Sequence, residues 1–477
     1  MPCRALRAIA GLAVLCTPVP GAAASPTIMF EPHELQLRDG TKLEAERGTF
    51  VVKEDRRNER SRSITIGFVR LRSTSTRPGN PIVYLAGGPG GSGVAALRGP
   101  REPVFLELRK TADVILLDQR GVGLSNALPS CSADQPLDPA EVLGETVLGR
   151  YYRETLAKCA ARWRSAGAAI GGYDTDQSAD DLADLRKGLG VAKIDLVAIS
   201  YGTHLALATM RRHPHVIGSA ILASSEGMNQ TVKLPAHVDA AFARIDAKLG
   251  GGLVERMRRV HTAFDREPRE FAVARPGGGS MEFRSDSFAL RAVAAFLAKN
   301  PDGYGRLQSI YASLERGETD LLAPILWDFF YRRPLSIGMA ELMDASSGVT
   351  SARLRTIHAQ ARDSVAGMAV NFPMPHLAGV LPEIDLGDRF RREVRADQRV
   401  LLLQGDLDVR TPLEEQRAAT AGLRNTQTVL FENGGHDLFE AHPDVPRMLT
   451  AFLSGQPVSQ TILRLPDPPL GSASSSK

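Results

Sequence analysis

Short apolar runs alternate with amphipathic stretches over much of the chain. Four runs with the character of buried strands occupy residues 81–85, 113–117, 194–199 and 217–223. Helical patterns separate them, at residues 92–110, 178–189 and 203–212. Continuous apolar strands joined through helices indicate a parallel sheet that is buried on both faces. Two further strand patterns, at residues 48–52 and 63–69, precede this region. We therefore predict an α/β fold with a mostly parallel central sheet flanked by helices.

The pattern changes between residues 231 and 392, where helical patches dominate. These patches cover residues 240–249, 290–298 and 353–368, and a loop is expected at Pro276-Gly277-Gly278-Gly279. Strand character returns at residues 400–403 and 428–431, and a last helix is expected at 445–453. We therefore predict a large, mainly helical cap at 231–392, inserted between the sixth and seventh core strands. It divides the core into residues 25–230 and 393–470, and a disordered, Ser-rich tail follows at 471–477.

The first residues have the pattern of a targeting segment. Arg4 and Arg7 precede a short apolar run, which ends in prolines and three alanines before Ser25. This pattern is typical of a secretory signal peptide, here residues 1–24. The run is too short to span a bilayer, and no later stretch reaches about 20 apolar residues, so stable membrane insertion is not expected. We therefore expect an exported protein, either periplasmic or secreted.

Net charge and cysteine content narrow further the class of protein that this chain can be. A formal net charge of +4 on 477 residues, without a basic run that contains aromatics, gives no basis for nucleic-acid binding. Removal of the signal segment leaves Cys131 and Cys159, which are 28 positions apart. In an oxidising compartment such a pair favours a disulfide over a metal site, with two separate buried thiols as the alternative.

The strand at residues 194–199 runs into a serine and then directly into a helix. The residues two before and two after Ser200 are Ala198 and Gly202, both small. This is the form of a nucleophile elbow, in which a tight strand-turn-helix exposes a serine hydroxyl above the sheet. The usual pattern is G-x-S-x-G, and Ala198 departs from it at the first position.

An acid and a histidine follow the two late strands. Asp408 comes after the strand at 400–403, and His436 comes after the strand at 428–431. The order Ser, Asp, His is the one found in α/β-hydrolases. We assign Ser200 as nucleophile, His436 as general base and then acid, and Asp408 as the carboxylate that orients the imidazole. Asp406 is the competing acid, and His442 is a weaker alternative for the histidine.

A glycine-rich loop follows the strand at 81–85. In a serine hydrolase the oxyanion would be held by the amide of Tyr201 and by an amide of this loop, for which Gly88 is the candidate. Residues 88–93 also fit the dinucleotide-binding pattern G-x-G-x-x-G, with Asp118 downstream. Pro89 removes a backbone donor that phosphate would need, and that alternative leaves the predicted triad unexplained.

Taken together, these motifs resemble a known family. Residues 87–93 (GGPGGSG), 118–125 (DQRGVGLS), 200–203 (SYGT), 405–412 and 434–436 are similar to proline iminopeptidases and tripeptidyl aminopeptidases of the α/β-hydrolase fold. The resemblance implies removal of residues from the free N-terminus of short peptides, without a metal or organic cofactor. It also implies that the cap limits access to the site. The family usually has histidine where this chain has Ala86, and glycine where it has Ala198.

An aminopeptidase needs an anion for the substrate's α-ammonium group. Glu226, just after the strand at 217–223, is the candidate, with Glu341 and Asp344 of the cap as further possibilities. The leading hypothesis is an exported serine aminopeptidase that releases one to three residues through an acyl-enzyme on Ser200. An esterase or amidase with the same triad is the nearest alternative, and a catalytically silent binding protein is a third. The sequence leaves the oligomeric state open.

Overall fold

The computed structural model describes residues 26–125, 128–274 and 278–469. The predicted signal segment (1–24) and tail (471–477) lie outside these ranges, as do Pro276 and Gly277 of the predicted loop. Within them, no helix is both long and apolar enough to cross a bilayer.

The strands are β1 (Met29–Gln36), β2 (Lys42–Lys53), β3 (Ser63–Leu71), β4 (Ile82–Leu85), β5 (Val114–Leu117), β6 (Cys131–Ser132), β7 (Val142–Leu143), β8 (Ile194–Ile199), β9 (Ile217–Ala223), β10 (Arg269–Ala274), β11 (Ser280–Ser285), β12 (Ser336–Ile337), β13 (Ala396–Gly405), β14 (Leu423–Glu432) and β15 (Ile462–Arg464). The α-helices are α1 (Gly93–Ala96), α2 (Glu102–Leu108), α3 (Glu145–Ser165), α4 (Thr175–Gly188), α5 (Tyr201–Arg212), α6 (Pro235–Lys248), α7 (Leu253–Arg266), α8 (Ser287–Leu297), α9 (Tyr304–Glu315), α10 (Ala323–Leu326), α11 (Met339–Ser347), α12 (Ser351–Ala361), α13 (Gly387–Phe390), α14 (Leu413–Thr420) and α15 (Val445–Leu453).

A ten-stranded sheet forms the centre of the molecule. Its strand order is β1-β2-β3-β5-β4-β8-β9-β13-β14-β15. The parallel part of this sheet consists of β5, β4, β8, β9, β13, β14 and β15. Strands β1, β2 and β3 pair antiparallel with one another, and β3 joins β5 antiparallel. The predicted α/β class with a mostly parallel sheet is confirmed. The carboxyl ends of β4, β8, β9, β13 and β14 meet at one edge of the sheet, where ligands bind in such folds.

Side-chain alternation along each strand builds one apolar core on each face of the sheet. In β4, Val83 and Leu85 belong to the core under one face, and Ile82 and Tyr84 belong to the core under the other. Strands of this kind have period 2 and are buried on both sides, which explains their continuous apolar runs. Helices α4 and α5 cover one face, and α2 and α15 cover the other.

The segment between β9 and β13 forms the cap and has its own apolar core. Most of it is helical, but it also contains the antiparallel pair β10–β11, which extends through β7 to a three-stranded sheet. The sequence pattern does not predict this hairpin, because six-residue strands with alternating exposed residues have a weak signal. Phe271 and Phe283 stack across it with ring centroids 5.3 Å apart. The edge strand β1, which is mostly exposed, is also absent from the prediction and makes β9 the seventh strand of the sheet along the chain.

Residues 128–172 leave the core and pack against the cap, although the sequence pattern assigns them to the core. Strand β6 pairs with β12 of the cap, and the ring of Tyr152 on α3 contacts Phe372 of the cap at a centroid distance of 4.6 Å. The predicted disulfide between Cys131 and Cys159 is present, with Cα atoms 5.7 Å apart. It joins β6 to α3 and thereby holds residues 128–172 against the cap.

Replacing Cys131 and Cys159 together by serine is expected to lower the free energy of unfolding. The crosslink closes a loop of 28 residues, for which chain entropy predicts a loss of about 3–4 kcal/mol. Urea unfolding of the oxidised wild type and the double variant measures the difference. Equal midpoints and slopes for the two proteins would contradict a stabilising crosslink.

Candidate active site

The turn at Ser200 is strained in the way that a nucleophile elbow requires. Ser200 has φ 55° and ψ −129°, a conformation that non-glycine residues rarely adopt, between β8 and α5. A Cβ atom at Gly202 would lie 2.2 Å from the carbonyl oxygen of Leu85, so that position must be glycine. Ala198 is tolerated because its methyl group is buried in the apolar core of the sheet.

The predicted acid and histidine are in contact. His436 Nδ1 lies 2.9 Å from Asp408 Oδ2, and the Thr411 hydroxyl donates to the same oxygen at 2.6 Å. The backbone amides of Arg410 and Thr411 donate to Asp408 Oδ1 at 2.8 and 2.9 Å. Burial alone would raise the pKa of Asp408, but the charge and hydrogen bond of His436 and the bonds from Thr411 hold that pKa below its usual value. With the Nδ1 proton directed at Asp408, Nε2 is left to accept a proton.

The two competing residues are not part of this contact. Asp406 Oδ1 is buried without a hydrogen-bond partner among the described residues, and the Asp406 main-chain carbonyl accepts from Arg244 Nε at 2.6 Å. His442 lies before α15, where its Nδ1 accepts from the amide of Asp444 at 3.2 Å. The geometry therefore favours Asp408 and His436 over both alternatives.

The cap holds the histidine loop, a connection that sequence reasoning missed. Asn300 Oδ1 accepts from the amides of His436 and Asp437 at 2.9 and 3.1 Å, and Asn300 Nδ2 donates to Asp437 Oδ2 at 2.7 Å. The carbonyl of Lys299 also accepts from the His436 amide at 2.9 Å. A Cβ atom at Gly435 would lie 2.7 Å from Asn300 Oδ1, which explains the glycine. No local motif marks Asn300, because its partner is 136 residues away.

The glycine-rich loop after β4 packs against the serine turn. A Cβ atom at Gly87 would lie 3.0 Å from Ser200 Cβ, so glycine is what allows this close approach. Gly88 has φ +126°, which only glycine adopts readily. Tyr201 begins α5, and the first amides of a helix have no partner within it. Gly88 lines the cleft together with Ser200, and the amides of Gly88 and Tyr201 remain the predicted donors for an oxyanion.

The D-Q-R-G motif holds that loop in place. Asp118 Oδ1 accepts from the Ser92 hydroxyl at 2.6 Å and from the Val94 amide at 3.1 Å, while Oδ2 accepts from the Leu124 amide at 2.7 Å. Arg120, fully buried, forms a bidentate pair with Asp181 at 2.7 Å for both bonds. The motif thus fastens the end of β5 to the glycine-rich loop on one side and to α4 on the other.

Ser200 lies at the junction of two lobes of one cleft. The larger lobe has a volume of about 580 Å³ and includes His436, and the smaller has a volume of about 250 Å³. Both lobes are lined by Gly88, Ser200, Phe372, Pro373 and Arg410. A substrate bound across the junction would therefore present its scissile bond to Ser200 and place one part in each lobe.

The smaller lobe is rich in carboxyl groups. Glu226, Glu341 and Asp344 line it, so the predicted substrate-binding residue and both further possibilities share one lobe with Ser200. Glu226 forms an ion pair with Lys233 at 3.0 Å. Burial, together with the nearby charge of Glu226, raises the pKa of Asp344 to about 8, and burial also raises the pKa of Glu341. Within the described ranges, no set of three or more His, Cys, Asp or Glu side chains is arranged to hold a metal ion.

Comparison with known families agrees with this fold. Residues 80–263 match the family model described as alpha/beta hydrolase fold, and residues 385–458 match the model described as TAP-like protein. The chain therefore has the α/β-hydrolase fold. More specifically, it resembles the family of proline iminopeptidases and tripeptidyl aminopeptidases.

Individual relatives align over part of their length. The tripeptidyl aminopeptidase of Streptomyces lividans is 30% identical over 162 residues, which are 30% of this chain and 28% of the relative. The putative hydrolase YuaR of Escherichia coli is 28% identical over 159 residues, 33% of this chain and 30% of the relative. The alignments thus span less than a third of these relatives. The crystal structure of a proline iminopeptidase from Mycobacterium smegmatis shares 16% identity, with 82% of this chain and 95% of that chain covered and a TM-score of 0.38.

Replacing Ser200 by alanine is expected to reduce turnover by roughly 10⁴–10⁶-fold, because it removes the predicted nucleophile. The unfolding midpoint should not fall, since the strained turn remains. Labelling with an active-site serine phosphonate followed by peptide mass mapping gives an independent measurement. An adduct on a residue other than Ser200, or wild-type turnover in the variant, would refute the assignment.

Proposed function

We propose that this protein is an exported serine aminopeptidase that releases one to three residues from the free N-terminus of short peptides. The observation that carries the proposal is the acidic lobe beside Ser200, formed by Glu226, Glu341 and Asp344. A carboxylate-rich pocket next to a nucleophile suits a substrate whose ammonium group lies close to the scissile bond. Simple esters have no group that would use these buried carboxyls, so the esterase alternative leaves the lobe unexplained.

The contact between His436 and Asp408, in the cleft that Ser200 also lines, supports the following reaction. His436 Nε2 takes the proton of the serine hydroxyl as Oγ attacks the carbonyl carbon, and Asp408 stabilises the imidazolium that forms. The amides of Gly88 and Tyr201 bind the oxyanion, each such donor being worth about 3 kcal/mol in the transition state. The C–N bond then breaks, His436 returns the proton to the leaving amine, and water releases the acyl group by the same steps in reverse.

The acidic lobe selects for a charged amine. Its two cationic side chains, Lys233 and Arg410, leave an excess of one carboxyl group when all three are ionised. Because the pKa of Asp344 is about 8, a bound ammonium group would draw Asp344 into its ionised form. A lobe of about 250 Å³ also restricts the acyl part to a short segment. Both properties favour an exopeptidase.

Export to the periplasm or the medium is supported by two features. The first residues have the composition of a signal peptide. The crosslink between Cys131 and Cys159 is of a kind that persists in oxidising compartments.

A panel of substrates tests the activity, with Glu226→Gln as the probe of the lobe. Aminoacyl and tripeptidyl arylamides with free N-termini should be hydrolysed, and N-acetylated arylamides and simple esters should be poor substrates. Loss of the Glu226 charge should lower kcat/KM for free-amine substrates by about tenfold or more, since a charge-assisted bond is lost. Glu44→Gln, exposed on β2 far from the cleft, is the matched control. Faster hydrolysis of esters or acetylated substrates than of free-amine arylamides would instead identify an esterase or amidase.

Asp344→Asn should stabilise the fold while it impairs substrate binding. The folded-state pKa of Asp344, about 8, exceeds its ordinary value. The native state therefore holds a proton that the unfolded chain has lost, and stability declines as pH rises from about 4 to about 8. Asparagine does not ionise and therefore removes this decline, so the free energy of unfolding at pH 8 should rise by about 1–2 kcal/mol. Denaturant unfolding at pH 5 and pH 8 measures it, with exposed Asp320→Asn as control. A pH dependence equal to that of wild type would contradict the raised pKa.

A further inference from the structure

The larger lobe carries an excess of positive charge. Three cationic side chains line it, those of Arg101, Lys299 and Arg410, against the single carboxylate of Asp437. The two lobes that meet at Ser200 are thus electrostatically different, one with an excess of carboxyl groups and the other with an excess of cations. Clefts with one sign of charge favour ligands of the opposite sign.

Two of these cations already have anionic partners. Arg101 contacts Asp437 at 2.8 Å and Glu440 at 3.2 Å, and it also donates to the Tyr84 hydroxyl at 2.8 Å. Lys299 contacts Asp437 at 2.6 Å. These pairs form a fixed network that links the cap to the histidine loop, and they give the wall of the lobe its shape.

Arg410 is different. Its main-chain amide is fixed on Asp408 Oδ1 at 2.8 Å, two residues from the predicted triad acid. Its guanidinium group, by contrast, makes neither a hydrogen bond nor an ion pair with any residue that the structure describes, although the side chain is only partly exposed and lines both lobes. A partly desolvated guanidinium with five donors and no acceptor has strong affinity for a carboxylate, which it can bind bidentately.

The direction of binding decides which part of the substrate meets this group, and here the inference rests on the proposed function. If the acidic lobe binds the α-ammonium group, the leaving peptide must occupy the larger lobe, where His436 protonates its amine. Phe296 and Phe329, with rings 5.0 Å apart, line the same lobe and are about half exposed. They provide an apolar wall for the side chain of the leaving residue.

We propose that the larger lobe recognises a carboxylate on the leaving peptide, with Arg410 as its main partner and Arg101 and Lys299 adding favourable charge. The substrates would then be very short peptides whose α-carboxylate reaches Arg410, or peptides with an acidic side chain directly after the cleaved bond. The cleft would bind both ends of a short peptide, the amine in the smaller lobe and the carboxylate in the larger lobe.

The experiment varies only the leaving group. The acyl part is the one most rapidly released from arylamides, and it is joined to leucine, to leucine amide or to glutamic acid amide. The leucine substrate with a free carboxylate should exceed its amide in kcat/KM by about tenfold or more, mainly through KM. A kcat/KM for the glutamic acid amide as high as that for the leucine substrate would show that a side-chain carboxylate can replace the α-carboxylate. Equal values for all three substrates in the wild type would overturn the proposal.

Substitutions then assign the effect to Arg410. Arg410→Gln should reduce the ratio of kcat/KM for acid over amide to near one, and Arg410→Lys should retain part of it because the charge remains. Arg417→Gln, an exposed arginine on the adjacent helix α14, makes the same charge change outside the cleft and should leave the ratio unchanged. A ratio that survives in Arg410→Gln would show that Arg410 is not the partner.

The arylamide reaction separates this inference from the proposed function. Its leaving group carries no carboxylate, so its hydrolysis depends on the acidic lobe and the triad alone. Cleavage of free-amine arylamides together with equal rates for acid and amide would refute carboxylate recognition but retain the aminopeptidase. Absence of cleavage of every free-amine substrate would refute the aminopeptidase itself.

Discussion

The buried carboxylate of Asp118 is the group on which the geometry around Ser200 depends. Its three hydrogen bonds connect the glycine-rich loop, through Ser92 and Val94, to the turn after β5, through Leu124. Glycine at position 87 allows the loop to approach the strained serine turn, but it has no side chain that could hold the loop there. The hydrogen bonds to Asp118 keep the loop in this position. A buried charge with several donors is costly to disturb, so it fixes position more firmly than apolar packing would. The placement of Gly88, the oxyanion donor that the sequence predicts in this loop, therefore depends on this one side chain.

The cap contributes residues to the cleft around Ser200. It supplies Glu341 and Asp344 to the acidic lobe, and through Asn300 it holds the loop that carries His436. The proposed substrate selection and the position of the proposed general base therefore depend on the same inserted segment. The cost is visible in Asp344, a buried carboxyl group whose pKa is raised to about 8. Proteins retain such unfavourable groups where function needs them.

The parts that local sequence predicts well are those made by one strand and the turn after it. Ser200, Asp408 and His436 each follow a buried strand, and Cys131 and Cys159 are the only cysteines left after the predicted signal segment. Each of these predictions needs only short-range pattern and chemistry.

Other features depend on contacts between distant segments and have no local signal. Asn300 acts on a loop 136 residues away, and nothing around it in the sequence indicates a special role. The Arg410 guanidinium has neither a hydrogen bond nor an ion pair among the described residues, and this is a property of its surroundings, which only the assembled cleft defines. The hairpin β10–β11 is missed for a different reason, because short strands with exposed alternate residues resemble surface helix or loop.

The position of the cap in the chain also determines when the proposed catalytic machinery can exist. Ser200 is synthesised before the cap, whereas Asp408 and His436 are synthesised after it, and β13 completes the sheet by pairing with β9. Until that pairing occurs, the serine has no base beside it, and no acidic lobe has closed over it. A growing chain would therefore carry Ser200 without the predicted acid and histidine until the strands β13 and β14 and the turns after them have been synthesised.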